Sequence, residues 1–231
     1  MTALAGRLAL VTGASRGIGA AVAEGLTAAG ATVVRVARSL DDGWHDGRLD
    51  IKADVSDAAQ AARMAERVRG EAGVPDVVVQ SAGGFLLARL ADTRPADFDQ
   101  QVRVNLRAAF LVARELLPPM AALGRGTYVS VGSVADHVGF PENAAYAAAK
   151  YGLRGLHESL VTEYRGTGVR LSLVSPGPTD TAIWDPFDPD HRPGFPPRAA
   201  MLRPADVADA VLFLATRPPS VHVDWLRLGP V

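Results

Sequence analysis

The chain contains no cysteine in 231 residues. That absence removes disulfides, thiolate catalysis and cysteine-ligated metals, and it fits a reducing compartment. No apolar run reaches the roughly 18 residues that a membrane span requires. Residues Met1–Thr12 hold a single charge, Arg7, without the basic start and long apolar stretch of a signal peptide. The expected location is therefore the cytoplasm, with no membrane partner. Charge of one sign is also lacking. Twenty-four Lys and Arg face 25 Asp and Glu, a net charge of −1, which leaves no broad basic footprint for nucleic acid. His45, His157, His191 and His222 show no metal-ligand spacing, and no metal is expected.

What is present suffices for a full core: 48% of residues are hydrophobic and 21% charged. Short apolar runs read as strands at Arg7–Thr12, Ala31–Ala37, Asp76–Gln80, Gly126–Val131, Val169–Val174 and, less regularly, Val221–Leu228. Arg48–Ala53 is a more polar strand that belongs near an edge. Helical patterns alternate with them. Ile18, Val22 and Leu26 recur at a four-residue spacing and stop at Gly30. A second helix is expected to begin at a capping Ser56 and end at Gly73. A long third, from Pro95, must end near Pro118. A fourth follows Asn143, and the last opens on Pro204. Alternation of this kind predicts one α/β domain over residues 1–231, a doubly wound Rossmann fold. Its sheet would be mostly parallel and seven-stranded, with helices on both faces. The one long irregular segment, residues 179–203, is expected to act as a substrate lid.

TGASRGIG, Thr12–Gly19, follows the first strand and opens the first helix. Gly13, Gly17 and Gly19 let backbone approach a pyrophosphate that a Cβ would hold off. The helix N-terminus then offers free N–H groups and a positive dipole end to the phosphates. A glycine triplet alone is weak evidence; at the first strand–helix junction of an α/β pattern it predicts a nucleotide site. Ser15 and Arg16 sit in the same loop, Arg16 either beside a phosphate or as a solvated surface cation. Tyr146 and Lys150 in YAAAK share a helix face, and Ser133 closes the Gly126–Val131 strand on the side where open parallel sheets bind ligands. Taken singly, Ser133 reads as a turn residue, Asn105 as a satisfied buried amide and Tyr146 as core.

Together with SAGG (Ser81–Gly84), Asn105 in VRVNLRAAF and PGPTDT (Pro176–Thr181), these residues resemble the classical short-chain dehydrogenase/reductase family over essentially the whole chain. The resemblance implies Tyr146 as general acid or base, Lys150 lowering its pKa and holding the nicotinamide ribose, Ser133 positioning the substrate oxygen, and Asn105 holding a water that leads to Lys150. It further implies cofactor contacts at Gly13, Ser15, Arg16, Gly17, Ile18 and Gly19, at Asp54 and Val55 against the adenine, at Ala82 and Gly83, and at Pro176, Gly177, Thr179 and Thr181 around the nicotinamide amide. A small-molecule carbonyl or alcohol substrate follows. So does a homodimer or homotetramer built on the helices carrying Asn105 and Tyr146.

One further absence selects the cofactor. VVRVARS, Val33–Ser39, ends the second strand without the acid that pairs with ribose hydroxyls in NAD-binding members. Arg38 and Ser39 stand there instead, suited to a 2′-phosphate, so the expected cofactor is NADP(H). Asp41 and Asp42 lie beyond that position and belong to a polar turn, while Arg35 points elsewhere by strand alternation. Gln80–Ser81 replaces the usual Asn before AGG and predicts altered bracing. The C-terminal VDWLRLGPV departs from the family ending, which puts its tetramer packing in doubt. His137 reads either as a substrate contact or as a solvated loop residue; Trp184, Phe187 and Phe195 either line an apolar pocket or pack the loop down. An NADP(H)-dependent oxidoreductase is the leading reading, and a non-catalytic NADP(H)-binding sensor or scaffold on the same fold is the alternative.

Overall fold

The computed structural model describes residues 2–231. Eight strands form one sheet in the order β3-β4-β2-β1-β5-β6-β7-β8. They are β1 (Leu8–Thr12), β2 (Thr32–Ala37), β3 (Gly43–His45), β4 (Arg48–Lys52), β5 (Val77–Gln80), β6 (Gly126–Val131), β7 (Val169–Pro176) and β8 (Trp225–Leu228). Every pairing is parallel except β3 with β4. β3 makes the strand count eight instead of the expected seven. It is a three-residue edge strand folded back on β4 by Asp46–Gly47, both at positive φ, as a tight two-residue hairpin turn requires.

Six helices cover the sheet: α1 (Gly17–Ala28), α2 (Ala58–Glu71), α3 (Pro95–Val102), α4 (Ala108–Ala122), α5 (Ala144–Glu163) and α6 (Pro204–Ala215). The strand residues divide by alternation. Leu8, Leu10, Val34, Val36, Val78, Tyr128 and Leu171 face one core with α2 and α4. Ala9, Val11, Val33, Val77, Val79, Val129 and Val174 face the other, with α1 and α6. Both faces of the sheet are thereby buried, as a parallel sheet demands.

Two expected helix ends are corrected. The α2 cap is Asp57, whose carboxylate accepts the Gln60 N–H at 2.9 Å; Ser56 is buried and donates to Asp54 instead. The long third helix does not stop at Pro118. It runs as α3, a π turn at Arg103–Arg107, and α4, which passes through Pro118 and Pro119 to Ala122. Pro119 leaves the Glu115 carbonyl without its helical donor, and the Arg69 guanidinium donates to that carbonyl at 3.4 Å. Fully buried Leu116, Leu117 and Met120 hold this last turn against the core.

Chain connection reverses direction between β1 and β5, which lie side by side at the middle of the sheet. A crevice opens at such a switch point, beyond the carboxyl ends of the strands. Thr12 spans it: its hydroxyl accepts the N–H groups of Ser81 and Ala82, each at 3.2 Å. Gln80 turns its amide onto the Ala82 carbonyl at 3.0 Å.

Candidate active site

A cavity of about 720 Å³ fills the crevice. Gly13, Ser15, Arg16, Gly17, Ile18 and Gly19 wall one side, Arg38, Ser39, Asp54 and Val55 the next, and Ala82, Gly83, Asn105, Tyr146, Lys150 and Thr181 the remainder. Residues from separate stretches of sequence meet here because each follows the carboxyl end of a strand or faces it from α5 or the π turn. Ser133, Pro176, Gly177 and Thr179 lie just outside this wall. Ser133 adjoins Gly132, which lines it. The Gly177 N–H is tied to the Leu228 carbonyl at 2.7 Å, and the Thr179 hydroxyl to the Gly177 carbonyl at 3.0 Å.

The glycine loop is shaped by contact. Gly13 has φ +68°, and a Cβ on it would lie 2.8 Å from the Ala82 backbone. A Cβ on Gly19 would run into the Gly13 carbonyl. No side chain caps α1, so its first-turn N–H groups face the cavity without a protein acceptor. A glycine cradle below an uncapped helix start, in a cavity of this size, fits the pyrophosphate of a dinucleotide.

At the far side Arg16 and Arg38 are exposed, and neither enters an ion pair among the described residues. Arg35 behaves as strand alternation predicts, with its Nε donating to Asp50 at 2.7 Å. Asp42 is turned away, accepting the Lys52 N–H at 2.8 Å and bonding Arg67. The carboxylate that does reach this region is Asp54. Partial burial opposes its ionisation, yet hydrogen bonds from Ser56 Oγ (2.6 Å) and N (3.0 Å), with Arg103 and Arg38 nearby, hold it below its ordinary range.

At the other end, the π turn points Asn105 inward. Its amide nitrogen donates to the Gln101 carbonyl (3.1 Å) and side-chain oxygen (3.0 Å), and its oxygen accepts the Gly84 N–H at 3.2 Å. A Cβ on Gly83 would lie 2.7 Å from that oxygen, so a larger residue there would have to displace the Asn105 amide. Lys150 is buried, and its Nζ donates to the Val131 carbonyl at 3.1 Å. Burial lowers its pKa to about 8, against the pull of Asp136. Tyr146 is half-buried at the cavity wall; burial pushes its hydroxyl up to about 12, with the Ser133 hydroxyl pulling the other way and Asp136 adding to the rise. The expected lowering of Tyr146 by Lys150 is therefore not found among the protein groups alone. Lys150 Nζ sits 5.7 Å from the ring centroid, and desolvation is the main cause of the rise.

Ser133 begins a short 3-10 turn, Val134–Asp136, and caps it: Oγ accepts the Ala135 N–H at 3.2 Å. The S-x-x-D spacing is the sequence signal for this reciprocal cap, although Asp136 stands outside the expected site residues. His137 is neither solvated nor a wall of the cavity. Its Nδ1 meets Asp136 at 2.7 Å, and its ring stands edge-on to Trp225 at 5.2 Å. Phe85, unremarked in the sequence, packs against Tyr146 (4.9 Å), Trp184 (5.1 Å) and Phe187 (5.4 Å); Phe195 reaches Trp184 at 6.0 Å. Trp184 is buried and donates to the Thr179 carbonyl at 3.1 Å. Segment 179–203 is thus packed down by its aromatics and, through Phe85, borders Tyr146. Arg198 binds it internally, reaching Asp180 (2.7 Å) and Asp185 (2.6 Å).

A profile of the short chain dehydrogenase family matches residues 7–192. The chain is 29% identical to an uncharacterized oxidoreductase of Staphylococcus aureus (strain MRSA252), covering all of both. It is 35% identical over 227 residues to the cis-4-hydroxycyclohexanecarboxylate dehydrogenase of Sinomonas cyclohexanicum, covering 93% of this chain and 91% of that one. Among solved structures, a metagenomic short-chain oxidoreductase in complex with NADP superposes with a TM-score of 0.81 at 33% identity, covering 99% of each chain. No helix among the described residues is long and apolar enough to cross a membrane. A profile match over most of the chain, on a doubly wound fold with its crevice at the β1–β5 switch, is decisive: the chain belongs to the short-chain dehydrogenase family of oxidoreductases, which bind a nicotinamide cofactor.

Proposed function

We propose that this protein is an NADP(H)-dependent oxidoreductase that interconverts a carbonyl group and a secondary alcohol, with Tyr146 as its acid and base. The observation carrying this reading is one cavity with a cationic, uncapped-helix end at Arg16, Arg38 and Ser39 and a proton-donor end at Tyr146 and Lys150. The related structure holding NADP supports the cofactor choice, as does the lack of a carboxylate at the end of β2. Arg38 offers a planar fork of donors to phosphate oxygens, Ser39 adds a hydroxyl, and Arg16 closes the opposite side.

A nicotinamide bound in this cavity would supply the hydride for reduction and accept it in oxidation. Tyr146 gives its phenolic proton to the carbonyl oxygen in reduction and takes a proton back in oxidation. Ser133 fits the role of a donor to the same oxygen, because the cap uses only an acceptor site on Oγ and its O–H is directed toward the Tyr146 hydroxyl. Lys150 supplies a buried cation beside Tyr146. Asn105 is held by Gln101 and Gly84 in the wall that also carries Lys150, and in this reading it holds a water leading to Lys150. The aromatic cover of Phe85, Trp184 and Phe187 makes segment 179–203 a substrate lid and favours a substrate with an apolar body. A relative named for a hydroxylated cyclohexane ring fits that class. Phe110 on α4 and Tyr151 on α5 are about half exposed and support self-association through these helices, in a protein that works in the cytoplasm.

The test mixes the protein with NADPH and a panel of ketones, aldehydes and diketones and follows the reduced cofactor by absorbance. Turnover that disappears in Tyr146→Phe while NADPH binding persists is the expected result. Binding without turnover on any member, unaffected by Tyr146→Phe, would refute it.

A further inference from the structure

A fully buried carboxylate stands directly behind the proton-donor end. Asp136 has no exposed surface, and both of its oxygens are engaged. Oδ2 accepts the Ser133 N–H at 3.1 Å and the Ser175 O–H at 2.6 Å, and Oδ1 pairs with His137 Nδ1 at 2.7 Å. These partners come from three places: the turn after β6, the end of β7, and the residue next along. Ser175 in turn accepts the Trp225 indole N–H from β8 at 2.8 Å. A line of donors thus runs from Trp225 through Ser175 to Asp136, and from there to the backbone of Ser133. The fit is tight, since a Cβ on Gly132 would collide with Asp136 Oδ2.

A buried anion is costly unless paired and hydrogen-bonded, and a purely structural turn needs none. Ser133 already caps the turn with its own hydroxyl. The charged and titratable groups around the carboxylate are Lys150 and Tyr146 from α5, the adjacent His137, and Arg154 and Arg227, whose guanidiniums lie over the Trp225 ring at 4.3 and 5.0 Å. Of these, only Lys150 and Tyr146 line the cavity.

We propose that Asp136, buried behind the proton-donor end and locked by Ser133 N–H, Ser175 O–H and His137 Nδ1, is a positioning residue that fixes the Ser133 turn and sets the field at Tyr146 and Lys150. The inference rests on the reading of Tyr146 as acid and base. Its negative charge disfavours the phenolate and favours the ammonium, so both groups hold their protons longer; burial works against Lys150 in this, and Asp136 works for it. Because the two groups interact, the pH limb that results belongs to the pair.

The experiment is the pH profile of kcat/KM in both directions for wild type, Asp136→Asn and Ser175→Ala. Reduction needs the protonated phenol and falls as pH rises through the limb; oxidation needs the phenolate and rises through it. Removing the carboxylate shifts both midpoints to lower pH by about one unit. They move together, because the overall equilibrium ties forward to reverse. Ser175→Ala removes one hydrogen bond and keeps the charge, so its midpoints stay at the wild-type values. Where Asp136→Asn does not fold, Asp136→Ser, which puts no amide N–H against the three donors, carries the same expectation. A fall in rate at every pH with unmoved midpoints in the carboxylate-free variant would overturn the inference. Wild-type turnover that ignores Tyr146→Phe would instead overturn the reading beneath it.

Discussion

At one end of the cavity the wall is glycine, alanine and backbone amide from the β1–α1 loop and the end of β5; at the other it is Tyr146 and Lys150, backed by Ser133 and by aromatic rings carried in from separate loops. The first end works through absence of side chains. Gly13 and Gly19 are held to glycine by neighbouring backbone, and the long side chains there are the unpaired Arg16 and Arg38. The second works through crowding: Phe85 against Tyr146, Asp136 locked by three donors, Trp184 pinned to Thr179. A cofactor common to many reactions needs the first kind of site. A proton donor tuned to one substrate needs the second.

The two ends should therefore break separately. Tyr146→Phe is expected to have the largest effect, a loss of roughly 10²–10⁴-fold in kcat, the usual contribution of a positioned acid, with the NADPH dissociation constant unchanged by titration calorimetry. Gly13→Val should do the reverse. It forces a β-branched residue to positive φ and onto the Ala82 backbone, lowering stability by about 2–3 kcal/mol in urea unfolding and weakening NADPH at least about tenfold. Phe85→Ala removes ring contacts to Tyr146, Trp184 and Phe187, each worth about 1 kcal/mol. It should raise the carbonyl substrate's KM about tenfold and leave that of NADPH alone. Tyr128→Phe is the baseline. Its buried hydroxyl has no protein partner among the described residues, so Tm should hold or rise, by up to about 1 kcal/mol of stability, with both kinetic constants unmoved.

The same division explains what can be read from the sequence. β1, β2 and β5–β7 are legible because local apolar runs specify buried parallel strands, and TGASRGIG is legible because a cradle made of backbone is written in closely spaced glycines. Tyr146 and Lys150 are visible only through their company with Ser133 and Asn105. β3 escapes a sequence reading although Asp46–Gly47 marks its hairpin, because three residues carry no periodicity. Pro118 misleads, since the cost of the proline pair is met by Arg69 from another helix and by buried Leu116 and Leu117. Phe85 and the Asp136–Ser175–Trp225 line join residues 39 to 102 positions apart, a relation no local pattern encodes.

In the proposed function Arg38, where an acid would select NAD(H), makes this cavity an NADP(H) site. The direct measurement is the ratio of kcat/KM for NADPH over NADH in wild type and in Arg38→Asp. Charge-assisted hydrogen bonds of about 1.5–3 kcal/mol predict a wild-type preference for NADPH of about ten- to hundredfold or more. In the variant, repulsion between the introduced carboxylate and the 2′-phosphate should reverse that preference. An identical ratio in the two proteins would contradict the account.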